Sequence, residues 1–223
     1  KILRAYGVTA FVTIIGTALS VFVNAMTGYV LQRKDFRWRN IFSFYFFFTT
    51  LFSGGLVPWY ILCVKTLHLK NTIWALIIPT IVSVWNIILV KGFMGGIPGE
   101  ITESAKIDGA GDFRIFVKLI LPLSKPVVAT IGLFTALAYW NDWMNSLYYI
   151  TNVRLIGIQS YLNRILSDLQ YLQSNEAAAS MSGDISFPGM SIRMAIATMA
   201  ILPIVILFTI FQKHGVRVTS IGA

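Results

Sequence analysis

Catalytic side chains are scarce along these 223 residues. Cys63 is the single cysteine, which excludes an internal disulfide or a thiolate metal cluster and leaves a small apolar filler. His68 and His214 are the only histidines, and no His-x-x-x-His or Glu-x-x-His spacing exists to hold a metal, so none is expected. A Gly-x-x-x-x-Gly-Lys-Ser/Thr loop is also missing, so the chain cannot cradle ATP phosphates itself and any energy source must come from elsewhere. Charge is thin too: 12% of residues are charged, about half the ~25% of soluble domains. Low-complexity tracts and strong internal repeats are absent, so residues 1–223 read as one domain.

What the chain has instead is apolar length. It is 56% hydrophobic with a mean hydropathy of +0.72. Runs long enough to cross ~30 Å of hydrocarbon fall at 8–31, 41–64, 72–93, 126–150 and 191–211, which predicts five spans and a multi-pass membrane protein. The loop holding Arg33, Lys34, Arg37 and Arg39 reads as cytoplasmic. Alternation then places 94–125 and the tail after Phe211 inside, and 65–71 and 151–190 outside. Eleven Lys and Arg residues lie inside against seven outside, a bias in the expected direction. Because the basic residues sit at span ends, the net charge of +9 is explained by the membrane, and no nucleic-acid partner is expected. A chain that starts outside, with neither an initiator Met nor a signal-peptide pattern, leads us to expect an earlier sixth span.

Between the third and fourth runs lies a polar island from Ile97 to Phe113, followed by Leu121-Pro122-Leu123. Pro98 suits the first position of a helix, and Glu100 and Glu103 suit its positive end. A helix over about 98–108 is predicted, ending at Gly109, with Asp112 capping a second helix before Pro122 breaks it. Ser104, Ala105, Gly109, Ala110 and Gly111 leave the corner nearly bare of side chains, so a partner's backbone can approach while Glu103 and Asp108 supply fixed charge. An ordinary re-entrant or interfacial loop fits the same residues.

Polar groups inside the spans form the second informative set, because an ionisable residue near mid-bilayer costs roughly 2.5–3.5 kcal/mol on insertion scales. Asp142 is the clearest case. Tyr139, Asn141, Asp142, Asn145 and Tyr148 or Tyr149 fall in one or two polar and aromatic stripes, with Trp85 and Asn86 a smaller set of the same kind. Aromatic faces beside amides and a carboxylate suit a sugar; an aromatic belt with interhelical hydrogen bonds is the alternative. Gly54, Gly55 and Pro58 should break the second span, and Gly16 with Ser20 offers a small-residue face for close packing. In the outer segment, Ile158, Leu162, Ile165, Leu166, Leu169 and Leu172 recur at helical spacing, predicting an amphipathic helix on the outer surface, against lipid or a docked soluble protein.

The run Glu103-Ser-Ala-x-x-Asp-Gly-Ala110, leading into Leu121-Pro122, resembles the EAA motif of integral membrane permeases in binding-protein-dependent ABC importers. Ser104 stands where that motif usually has Ala. Ser53-Gly-Gly-Leu-Val-Pro58, Asn71-Thr-Ile-Trp-Ala-Leu76, Pro122-Leu-Ser-Lys-Pro126, Trp140-Asn-Asp142 and Pro203 look like the carbohydrate branch, including permeases for oligosaccharides. The tail differs, with Gly215-Val-Arg-Val218 before Ile221-Gly-Ala223. The resemblance implies an all-α, polytopic bundle of the type I importer kind in the bacterial cytoplasmic (inner) membrane. It implies a second permease, two ATP-binding subunits carrying ATP and Mg, an extracytoplasmic solute-binding protein and a carbohydrate substrate. Glu100, Glu103, Ser104, Ala105, Asp108, Gly109 and Ala110 would couple to the ATPase, and this chain would be a transport subunit, not an enzyme. The rival classes are an ion-coupled secondary transporter, thinly supported by Asp142 alone, an intramembrane enzyme, which lacks a catalytic set, and an importer of a non-sugar solute.

Overall fold

In the computed structural model, residues 2–174, 191, 193–201 and 205 are described, and these are helical or connecting with no strand among them. Among the described residues only one helix is long and apolar enough to cross a membrane unaided: α1, Ile2–Gln32. At about 1.5 Å per residue it is roughly 46 Å long. The other apolar runs are broken. Arg39–Leu51 (α2) and Leu56–Ile61 (α3), continued by a π turn over Leu62–Thr66, meet at 115°. The segment from Ile73 to Thr80 joins α4 (Val84–Gly95) at 51°. Asp112–Ile115 (α6), the π turn Phe116–Ile120 and the short α7 (Leu121–Leu123) meet α8 (Lys125–Asn141) at 85°. If each bent pair is one span, the described residues hold up to four; of the expected fifth at 191–211, most lies outside the described residues. The island helix, α5, covers Gly99–Ile107.

Each break has a local cause, not always the expected one. In the second run the chain turns at Gly55, whose φ of 87° is left-handed, whereas Pro58 sits in the first turn of α3, where its missing donor costs nothing. The third run is not one helix: 3₁₀ turns at Ile73–Leu76 and Ile78–Thr80 precede an extended link to Ser83, which caps α4 by accepting from the Asn86 amide at 3.4 Å. Pro122 does not end its helix either, since Ser124 N still donates to Ile120 O at 2.9 Å and the bend falls at Ser124. The fourth run stops at Asn141 and resumes as α9, Met144–Tyr149.

Broken helices in hydrocarbon expose backbone groups that no water can satisfy. Side chains of α1 and α8 satisfy those of the third run. Ser20 Oγ donates to Ile81 O at 2.7 Å, and Asn24 Nδ2 donates to the same carbonyl at 3.1 Å. Asn24 Oδ1 accepts from Ser83 N at 3.0 Å, and Tyr139 Oη donates to Ile77 O at 2.9 Å. Asn24 and Ser20 are fully buried.

α1 contributes to all three apolar clusters. Val12 packs with Ala75, Leu76, Ile77, Tyr139 and Tyr149, away from the island. Ala25 and Tyr29 pack with Val90, Met94, Ala105, Ile115 and Phe116 toward the island. Ala5 joins Trp140, Ile158, Leu162 and Ile196. Close approach depends on bare positions: a Cβ on Gly16 would lie 2.7 Å from the Tyr139 ring, and one on Gly28 would lie 2.8 Å from Val90. The small face expected at Gly16 and Ser20 therefore meets α8 and the broken third run.

The outer amphipathic helix forms as α10, Ile158–Ser174, but it is not free to lie on lipid. Ile158 and Leu162 are buried against Ala5, Trp140 and Ile196, with Ile165 and Leu166 alongside, so its apolar face is taken up by α1, α8 and 193–201. Periodicity fixed the face and left its occupant open. By contrast, α2 buries none of its residues within this chain.

Replacing Asn24 by Leu should strand Ser83 N and leave Ile81 O to Ser20 alone, at a cost of about 1–3 kcal/mol. Thermal unfolding of the purified protein in detergent should show it as a drop of roughly 2–4 °C per kcal/mol. Thr27→Val removes only a bond to Val23 O within α1 and should stay within about 0.5 kcal/mol of the parent.

Candidate functional site

The island folds as helix, corner, helix. Pro98 stands just before α5, with φ −57° and ψ 130°, one position earlier than expected, and Glu100 lies in the first turn. The helix ends in a Schellman arrangement: Gly109 N donates to Lys106 O at 3.0 Å and Ala110 N to Ala105 O at 2.9 Å, with Gly109 at φ 76°. Glu100, Glu103, Ser104 and Ile107 follow the i, i+3, i+4, i+7 rule and form one exposed face, continued by exposed Asp108 and Gly109. Ile107, 86% exposed, and Phe113, 64% exposed, belong to this surface; the rule that aligns Glu100 with Ser104 also reaches Ile107. Ala105 faces the other way, buried against Tyr29, Met94, Ile115 and Phe116, and Ala110 is half-buried beside it. Their smallness lets α5 sit close on its own bundle.

Asp112 does not cap α6. It is the first residue of that helix, and its carboxylate turns to the end of α1. Arg33 pairs with Asp35 and, at 2.7 Å, with Asp112; Lys106 pairs with Asp35 at 2.9 Å and lies 4.0 Å from Asp112. Each cation thus touches both anions, in a square joining the end of α1, the last turn of α5 and the first turn of α6. Lys106 and Asp112 also suit the helix ends they occupy. Hydrogen bonds from Arg33 and then Lys106 hold the Asp35 carboxyl well below the usual carboxylate range. Its bond to Asp35 is the largest cause raising the Arg33 guanidinium above its ordinary value. Beneath the square, Arg33 lies 5.8 Å from the Tyr29 ring centre, and Tyr29 stacks on Phe116 at 5.3 Å. Sequence spacing gave no sign of this cluster, whose members lie up to 79 positions apart.

The residues singled out inside the spans divide into two groups. Trp85, Asn86 and Tyr139 line one cavity of about 590 Å³, with Ser20, Ser83, Phe134 and Thr135 among the other walls. Trp85 is 66% exposed and Phe134 49%, so aromatic faces flank the opening. Buried Asn86 donates through Nδ2 to Thr135 Oγ1 at 3.0 Å, and the Tyr139 hydroxyl is committed to Ile77. No charged side chain lines this cavity. Asn141, Asp142, Asn145 and Tyr148 lie elsewhere, because the break between Asn141 and Met144 ends the helical stripe that periodicity extended through it. Asp142 caps α9 instead, accepting from Asn145 N at 3.1 Å and from Asn145 Nδ2 at 2.6 Å. Asn141 donates to Leu137 O, and half-buried Tyr148 packs edge-on to Tyr149. Among the described residues no group of His, Cys, Asp and Glu is placed to hold a metal.

An exposed polar face on an interhelical island and an open cavity between broken spans describe a transport component. The family model of the binding-protein-dependent transport system inner membrane component matches residues 25–217. The chain belongs to this family. It is similar, at 39% identity over 97% of its length and 74% of the relative's, to the polygalacturonan/rhamnogalacturonan transport system permease protein YtcP of Bacillus subtilis. It is 27% identical, over 97% and 72%, to the arabinooligosaccharides transport system permease protein AraQ of Halalkalibacterium halodurans. Among solved structures it resembles, with a TM-score of 0.81 and 30% identity over 95% of this chain and 74% of the other, a chain from a bacterial ABC transporter involved in import of the acidic polysaccharide alginate. Members of this permease family are transport subunits, and the all-helical membrane fold follows that pattern.

For the charge square the pH dependence has a definite sign. A depressed Asp35 pKa means its pairs stabilise the island fully above the ordinary carboxylate value of about 4 and fail only as pH falls through the lower folded value. Amide-exchange protection of 105–112, divided by the intrinsic exchange rate, should therefore stay level from about pH 8 down to about pH 5. A loss of protection inside that window would contradict the pairing.

Proposed function

We propose that the chain forms half of the translocation pathway of an ATP-driven oligosaccharide importer, as a multi-pass permease of the bacterial cytoplasmic membrane working by alternating access. The observation that carries this reading is the likeness, over nearly the whole chain, to permeases named for the transport of polygalacturonan/rhamnogalacturonan and of arabinooligosaccharides. A second, related permease would complete the pathway, two ATP-binding subunits holding ATP and Mg would lie beneath, and a solute-binding protein would deliver sugar outside.

In this scheme the face formed by Glu100, Glu103, Ser104, Ile107, Asp108 and Gly109 seats in a cleft of one ATPase, with Ala105 and Ala110 holding α5 to the bundle behind it. Closure of the motor moves the island and, with it, the spans. The cavity bordered by Trp85 and Phe134 offers apolar faces for sugar rings, with Asn86, Ser83 and Thr135 supplying polar groups. Its uncharged lining suits the ring and hydroxyl surface of the substrate. An ion-coupled carrier is disfavoured because Asp142, the one acid within the fourth run, is engaged in capping α9.

Co-expression and detergent purification should recover the chain with an ATPase subunit, and Gly109→Arg should retain that association less firmly while cutting ATP-driven uptake by about tenfold or more. Gly109→Asn, which tolerates the left-handed backbone, should stay near the parent. Wild-type uptake by the Arg variant would refute docking through this corner. At the cavity, Trp85→Ala should lower uptake of oligogalacturonate or arabino-oligosaccharide about fivefold, equivalent to about 1 kcal/mol of aromatic contact, and Trp85→Phe should keep most of it.

A further inference from the structure

The charge square contains none of the exposed face residues, yet it ties that face to a single helix. Lys106 is the neighbour of buried Ala105 in the last turn of α5, Asp112 opens α6, and Arg33 and Asp35 follow the last residue of α1. The bonds Arg33–Asp112 and Lys106–Asp35 thus fasten both sides of the Gly109 corner to α1. Tyr29 of α1, Met94 of α4, and Ala105, Ile115 and Phe116 form a buried floor under the same junction. The link from α4 into α5, in contrast, is the short stretch Gly96-Ile97-Pro98, in which Gly96 and Pro98 are exposed. α1 then runs unbroken to Ser20, about 20 Å along the axis from Arg33, and Ser20 both lines the cavity and bonds Ile81 beside Val82.

Building on the permease reading above, we infer that Arg33, Asp35, Lys106 and Asp112 are positioning residues that lock the island to α1. The stroke of the motor then reaches the cavity through α1 as a rigid lever, and not through the α4–α5 link. The square is neutral as a unit, with two cations and two anions in alternation, so removing any one charge leaves its two partners unbalanced. Lys106 and Asp112 are half-exposed, which rules out a deep electrostatic anchor and favours alignment as the role.

The test uses the complete complex of both permeases and the ATPase pair, in nanodiscs, with Cys63→Ala in this chain and Val82→Cys as a reporter on the cavity wall. Maleimide labelling of that cysteine is timed with and without ATP, Mg and vanadate. Trapping should change the labelling rate severalfold in the parent. Lys106→Met and Asp35→Asn should each shrink that response by about fivefold or more, while the ATPase still co-purifies and still hydrolyses ATP. Lys106→Arg should keep the response. A purely structural square would lower complex yield without separating hydrolysis from the cavity response. Full response in the assembled neutral variants, or a lost response in the assembled Lys106→Arg variant, overturns the inference. If Lys106→Met fails to assemble, Asp35→Asn decides alone. A parent complex that hydrolyses ATP but shows no cavity response refutes alternating access itself, an outcome distinct from failure of the square.

Discussion

Unpaired backbone groups in hydrocarbon are the constraint on which this architecture rests. Among the described residues three of the apolar runs are broken, and each interruption frees amides and carbonyls that cost several kcal/mol apiece if left bare. The third run is the most demanding, and it is stitched by Ser20, Asn24 and Tyr139, all buried and all from other helices. Those repairs fix where α1 and α8 must stand. They also contribute to the cavity wall, because Ser20 and Tyr139 line the same space as Trp85 and Phe134.

The same economy explains the division of labour along α1. Its outer third buries Ala5 and Val12, its middle repairs the broken run, and its inner end holds the island by apolar packing and charge. Bare positions at Gly16 and Gly28 allow the neighbouring helices to come within contact distance of its backbone. A helix so engaged on several sides has little freedom to bend alone, whereas α2, with no fully buried residue, leaves most of its aromatic side chains exposed.

Membrane class, helical content and the island's helix–corner–helix form were legible in the sequence because each rests on local rules: hydropathy over twenty residues, small residues at a corner, glycine after a helix. The Schellman ending at Gly109 appeared within a residue of its expected place. Periodicity misled where the helix it assumed is interrupted, so the stripe from Tyr139 to Tyr148 dissolved at Asn141–Met144, and Asp142 emerged as a cap. Ala105 was read as a point of approach for a partner, but smallness says only that something comes near; here it is Tyr29 and Phe116 of the same chain. Contacts between distant segments, such as Arg33 with Asp112 or α10 with Trp140, carry no local signature, and only the fold brings them together.

The Schellman corner has a thermodynamic implication for docking. A nine-residue helix is far below the ~12–15 residues at which isolated helices become even marginal in water. Free in solution, the island sequence would be an unstructured peptide and would lose its side-chain alignment. Held at one end by Pro98 and at the other by the Gly109 turn and the ion pairs of Lys106, it meets a partner already ordered, so association need not absorb the entropy of folding it.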